Sequence, residues 1–129
     1  MSWAGEIGRI GEQMVADFLK SQGYFIARMN FRSNYGEIDV IAEKADLIVF
    51  VEVKTRAENA LLAPADAVDK IKEKRIAKTA ESFLRRAHLN LPYRFDIAEV
   101  TYKKKADGTF SFSLNYIKNA FYIALQNSL

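Results

Sequence analysis

The run Leu47-Ile48-Val49-Phe50-Val51-Glu52-Val53-Lys54 constrains the fold more than any other part of the chain. It is apolar on both faces, and a strand that needs cover on both faces belongs in the middle of a sheet. Immediately before it, Glu37-Ile38-Asp39-Val40-Ile41-Ala42 reads as a second strand, and the polar Glu43-Lys44-Ala45-Asp46 joins the two as a β-hairpin. Pairing Glu43 with Ile48 across the turn sets Ile41 opposite Phe50, Asp39 opposite Glu52 and Glu37 opposite Lys54. Side chains alternate along a strand, so Glu52 and Lys54 share a face with Phe50 and Ile48, and Asp39 joins them there. A slip of two residues preserves this grouping; a slip of one destroys it.

Carboxylates facing each other on neighbouring strands repel. In an apolar strand they also lose hydration, at a cost on the order of several kcal/mol per ion. A divalent cation bracketed by the two oxygens resolves the conflict, and a lysine beside them neutralises what remains. Such an ion acidifies bound water and stabilises charge developing on a phosphate, while Lys54 orients the attacking water or steadies the phosphorus centre. The simpler alternative is a charged strand end, with Glu52 and Lys54 in solvent and Asp39 as an ion-pair partner. Spacing alone leaves both open.

Composition narrows the chemistry. The chain has no cysteine, which removes thiol catalysis and cysteine-based zinc sites, and His88 is its only histidine. Any metal here is held mainly by oxygen, which favours Mg²⁺, Mn²⁺ or Ca²⁺. With 129 residues, half of them hydrophobic, a single domain over 1–129 is expected. No apolar run approaches a membrane span and the first residues lack the form of a signal peptide, so a cytoplasmic protein with no membrane partner is expected.

Around the hairpin, Ile7, Ile10, Met14, Val15, Phe18 and Leu19 recur at helical spacing, with Gly23 as a C-terminal cap. Gly8 and Gly11 inside that helix suggest a frayed start or a close backbone approach. Tyr24 to Arg28 reads as a short strand, residues 55–63 as a loop, and Pro64 to Ala87 as a long helix. Arg94 to Tyr102 is a strand, Lys103 to Gly108 a charged turn, and Phe110 to Tyr116 an alternating strand with one solvated face. Asn119 to Leu125 is expected to be a short helix. The order is α-β-β-β-α-β-β-α: an α/β fold, a sheet with helices packed on it.

Gly36-Glu37-Ile38-Asp39-Val40-Ile41-Ala42 followed by Phe50-Val51-Glu52-Val53-Lys54-Thr55-Arg56 resembles the YraN family. These small bacterial proteins are regarded as predicted endonucleases related to archaeal Holliday-junction resolvases, within the PD-(D/E)xK nuclease group. The resemblance extends to Gly11-Glu12 and Ala16, to Ala67-Val68, Lys72 and Arg75, to Arg94-Phe95-Asp96, and to Asn119-Ala120-Phe121. It implies a restriction-endonuclease-like mixed β-sheet with flanking helices, and a Mg²⁺- or Mn²⁺-dependent endonuclease acting on branched or structured DNA. Asp39, Glu52 and the Val53 carbonyl would be metal ligands, Lys54 the catalytic lysine, and Glu12 the helical acidic residue that completes such sites. Glu12 lies at the edge of the apolar stripe, from which it could reach the sheet, but without the resemblance it reads first as an ordinary boundary glutamate. The leading proline of the motif is absent, since Ile38 precedes Asp39.

The formal charge is only +3, with a pI near 9.1. Its distribution is more informative, because residues 69–86 carry seven basic side chains against three acidic ones. That helix could contact phosphates or simply present a solvated face. Lys72 lies one turn from both Val68 and Ile76, so it either snorkels or reaches the metal site. Arg75 and Arg56 are further candidates for nucleic acid, and Arg32 is a weaker one. Most aromatic residues fall at core spacing, and no stacking platform is expected. Trp3 and Phe121-Tyr122-Ile123 fit either a core or a homodimer interface, the latter needed to cut a junction symmetrically. The rival functions are a nucleic-acid-binding module that does not cut and a partner-dependent subunit of DNA uptake or processing.

Overall fold

The computed structural model describes residues 3–60 and 70–121. Helix α1 (Trp3–Ser21) leads into strands β1 (Phe25–Arg32), β2 (Glu37–Lys44) and β3 (Leu47–Ala57), then a 3₁₀ turn (Glu58–Ala60). Helix α2 (Lys70–Arg86) and strands β4 (Tyr93–Lys104) and β5 (Phe110–Phe121) complete the described chain. One mixed sheet runs in the order β1-β2-β3-β4-β5, with β3 at its centre as its apolar sequence requires. β3 and β4 are parallel, and the other neighbours are antiparallel. The parallel pair needs a crossover, and α2 lies within it.

Among the described residues each face of the sheet carries one helix. On one side Ile41, Ile48, Phe50 and Phe95 pack beneath Ile76, Ala80 and Phe83 of α2. On the other, Val40, Ala42, Val49, Val51, Ala98 and Val100 pack beneath Val15 and Leu19 of α1. The hairpin register follows the expectation, with Glu43 paired to Ile48 and Ile41 to Phe50. α1 ends on a Schellman motif: Gly23 takes φ of +90°, its N–H bonds the Lys20 carbonyl at 3.0 Å, and the Tyr24 N–H bonds the Leu19 carbonyl at 2.9 Å.

Gly11 is a close approach. A Cβ there would lie 2.1 Å from Thr55 Oγ1, so only glycine lets α1 settle on β3 at this point. Gly8 has open space around it. At the β4–β5 turn, Asp107 Oδ1 accepts from the Thr109 N–H at 2.9 Å and Gly108 takes φ of +88°, as an Asp-Gly tip requires.

Four expectations need correction. Lys103 and Lys104 belong not to the turn but to the end of β4, paired to Ser111 and Phe110. Thr55 to Ala57 are not loop but the end of β3, paired to Val100, Thr101 and Tyr102. The first strand continues past Arg28 to Arg32, because Phe31 and Arg32 pair with Ile38 and Glu37. The last helix is replaced, at least over Asn119 to Phe121, by β5: Phe121 pairs with Phe95, and their rings stack with centroids 5.1 Å apart. A bulge with Asn119 at φ of +53° makes that possible. Residues 122–125, Pro64 to Asp69 of the long helix, and Tyr122 and Ile123 of the suggested interface lie outside the described residues.

Candidate metal and nucleic-acid site

The regular ladder between β2 and β3 stops at Val40–Val51, one pair short of Asp39 and Glu52. Alternation breaks at the same place: Ile38 packs beneath α2, whereas Val40 packs beneath α1. The Asp39 side chain takes over from the backbone, its Oδ2 accepting the Val53 N–H at 2.7 Å. Asp39 and Glu52 therefore line one cleft, with Glu37, Ile38, Phe50, Val51, Ile76 and Phe121.

Glu52 is only 9% exposed, which rules out a solvated strand end. Its carboxylate is met by Lys72 Nζ, reaching down from the first turn of α2. Burial pushes the Asp39 carboxyl up to about 7; the Val53 N–H pulls the other way, and the nearby charges of Glu12, Glu52 and Glu37 add to the rise. The cleft thus disfavours the charged form of Asp39, first by burial and then through its acidic neighbours.

Glu12 enters from α1, directly after the glycine that brings that helix onto β3. Its Oε1 accepts from Asn30 Nδ2 at 3.3 Å. Asn30 is a residue that sequence reasoning overlooked. It sits in β1 with φ of +52°, a conformation asparagine tolerates better than most, and an asparagine inside a strand pattern is the only signal it leaves.

Lys54 is half-buried in a neighbouring groove, lined also by Arg56, Glu99, Val100 and Thr101. Asn115 Nδ2 holds Glu99 at 2.9 Å. Arg75 is exposed on the outer side of α2, its Cβ 3.5 Å from where a Cβ of Gly36 would stand. Lys72 thus reaches the acidic cleft, whereas Arg56 lines the neighbouring groove and Arg75 lies against Gly36. Among the described residues no three acidic or histidine side chains converge into a ready-made metal cage. The available donors are two carboxylates and the Val53 peptide.

A second buried carboxylate supports this architecture from the far side. Asp96 is fully buried and accepts four kinds of donor: Arg94 Nε at 2.8 Å and Nη2 at 2.9 Å, the Tyr116 hydroxyl at 2.6 Å, and the Asn119 N–H at 2.8 Å. Arg94 also reaches the Tyr24 hydroxyl at 3.1 Å. The salt-bridged guanidinium is held well above its ordinary pKa by Asp96, and burial with the same carboxylate raises the Tyr116 phenol. This network fixes the β5 bulge and gives Arg94 and Asp96 a structural role.

A mixed five-stranded sheet with a helix packed on each face among the described residues, and an Asp–Glu pair in its central hairpin, makes this an α/β protein whose fold is consistent with a nuclease-like one. The profile of the uncharacterised protein family UPF0102, the YraN family, matches residues 11–100, and the chain belongs to that family. It is 41% identical to a UPF0102 protein of Parabacteroides distasonis, over 95% of this chain and 97% of the relative. Similar proteins from Caldicellulosiruptor saccharolyticus and Caldicellulosiruptor bescii are 41% and 43% identical, each over 90% of this chain and 97% of theirs. No helix among the described residues is long and apolar enough to cross a membrane.

Proposed function

We propose that the protein is a Mg²⁺- or Mn²⁺-dependent endonuclease that hydrolyses phosphodiester bonds in branched or otherwise structured DNA. The observation that carries this reading is the Asp39–Glu52 cleft. Two carboxylates line one largely buried cleft, and burial, reinforced by neighbouring carboxylates, raises the pKa of Asp39 to about 7. A stable fold gains nothing from such an arrangement, and a hard cation relieves it. The donor set fits, being oxygen only.

Asp39, Glu52 and the Val53 carbonyl would hold the ion, which when bound supplies positive charge to acidify water and offset charge developing on the phosphate. Lys54 orients the nucleophile and steadies the reacting phosphate. Glu12 adds negative charge from α1 and, held by Asn30, aids the orientation of the water. Lys72, paired here with Glu52, would be free to meet a phosphate oxygen were a cation to take over that carboxylate. Arg75 and Arg56 extend the cationic surface on either side, where backbone phosphates would run.

The test is cleavage of a panel of DNA and RNA structures with Mg²⁺ or Mn²⁺. Asp39→Asn, Glu52→Gln and Lys54→Ala are expected to abolish cutting while the fold is kept. If the unaltered protein never cuts above the level of these variants, the enzyme reading fails. Calorimetric titration of Mn²⁺ into the protein and into Glu52→Gln examines the ion site separately from turnover.

A further inference from the structure

Four residues before Asp39, the chain turns through Ser33-Asn34-Tyr35-Gly36. This turn is pinned from several directions. The Ser33 N–H bonds the Gly36 carbonyl at 2.9 Å, and the Tyr35 N–H bonds Ser33 Oγ at 3.0 Å. Ser33 Oγ also lies 2.9 Å from Thr79 Oγ1 on α2, which in turn donates to the Arg75 carbonyl at 2.8 Å. Gly36 lies flat against Arg75. On this fixed support Tyr35 stands 48% exposed, with Lys78 Nζ 5.1 Å from its ring centre. Arg32 and Arg75 border the same turn.

An exposed aromatic ring on a tethered turn, with the Lys78 ammonium over it, has no part in either core cluster. It presents a π-face for stacking and positive charge for phosphate, the two chemistries that single-stranded nucleic acid offers together. Bases inside a duplex hide their faces against one another, so only an unpaired base can use the ring. Four extended residues span about 13 Å, so a base stacked on Tyr35 belongs to a nucleotide only a few positions from a phosphate in the Asp39–Glu52 cleft.

We propose that Tyr35, with Lys78, is a stacking site for an unpaired DNA base next to the point of cleavage. The inference rests on the nuclease reading for its geometry and gives that reading a substrate class: DNA with a flap, gap or branch at the cut, in preference to continuous duplex. Lys78 supplies phosphate attraction from its place over one face of the ring; Tyr35 supplies the discrimination.

The experiment is fluorescence anisotropy in EDTA with two labelled DNAs of equal length, one blunt and one carrying a single-stranded flap. Tyr35→Ala is expected to weaken flap binding about tenfold and leave blunt binding unchanged, as loss of one base–aromatic stack implies. Tyr35→Trp keeps the flap preference. Lys78→Ala weakens both DNAs by a similar two- to threefold factor, on the order expected for one phosphate contact. The proposal is overturned if Tyr35→Ala binds both DNAs as the unaltered protein does, or loses both equally, or if neither DNA is bound at all. Cleavage is scored in parallel with Mn²⁺. Tyr35-dependent flap binding without cutting of any DNA or RNA in the panel sustains the stacking site but removes the cleavage point beside it, along with the endonuclease reading; cutting that ignores Tyr35→Ala overturns the stacking site and leaves the endonuclease reading standing.

Discussion

Asp39 is the residue at which function and stability conflict most directly, and Asp39→Asn exposes the conflict. Its carboxyl has a pKa of about 7 in the folded protein against 3.8 in the unfolded chain. Below pH 4 both states hold the proton and the group is neutral with respect to folding. Between pH 4 and 7 the unfolded chain releases the proton while the folded protein keeps it, so stability falls as pH rises, and the loss is complete above about pH 7. At about 1.4 kcal/mol per tenfold change in proton affinity, the displacement corresponds to a ceiling of about 4 kcal/mol. The partly solvated cleft reduces this to about 2 kcal/mol. Asparagine keeps an oxygen for the Val53 N–H, so the variant loses the charge without losing the hydrogen bond. In urea unfolding with EDTA, Asp39→Asn is expected to match the unaltered protein near pH 4.5 and to exceed it by about 2 kcal/mol at pH 8. Mn²⁺ at pH 8 narrows that gap by stabilising only the protein that retains Asp39. A difference that stays flat from pH 4.5 to 8.5, or a variant less stable at pH 8, refutes the reasoning.

Other substitutions examine the supports of the cleft. Lys72→Met removes the counter-charge of Glu52; calorimetry should show Mn²⁺ binding more tightly, and metal-free urea unfolding a loss of about 1 kcal/mol, moderate because the lysine is largely exposed. Gly11→Ala adds a methyl where Thr55 Oγ1 leaves 2.1 Å, so thermal unfolding should register a cost of about 1–2 kcal/mol in spite of alanine's better helix propensity, with recovery on adding Thr55→Ala. Asp96→Asn weakens a buried ion pair and its attached bulge; a loss of about 3 kcal/mol in urea unfolding is expected, with little change in Mn²⁺ affinity.

The parts of this structure legible in the sequence are those governed by local periodicity. The hairpin register follows from a two-residue repeat flanking a polar turn, and it carries Asp39 and Glu52 to the same place. The reach of Lys72 is visible in its spacing from Ile76. The break in alternation at Asp39 is not visible, because it depends on the Asp39 carboxylate replacing a backbone partner for Val53. Asp96 is equally hidden: its donors come from Arg94, Tyr116 and Asn119, and no local pattern announces a bond across twenty residues. The last element misleads for a related reason. Asn119 to Leu125 is a short apolar run that fits helix or strand, and over Asn119 to Phe121 the choice falls to strand through Phe95 and a left-handed Asn119. Tyr35 escapes notice because its exposure depends on how the turn is tethered to α2.

The parallel pairing of β3 and β4 has a consequence for the order of assembly. Glu12, Asp39, Glu52 and Lys54 all precede the crossover, on a helix and a three-stranded meander whose contacts are short in sequence. β4 can dock only after a loop of more than thirty residues closes, which is the slower event. Lys72 lies inside that crossover. The nascent meander therefore gathers its carboxylates before the lysine that balances Glu52 is held in place, and early folding proceeds against that repulsion. Refolding rates should accordingly rise with ionic strength, a kinetic trace of a site whose charges are assembled ahead of their counter-ion.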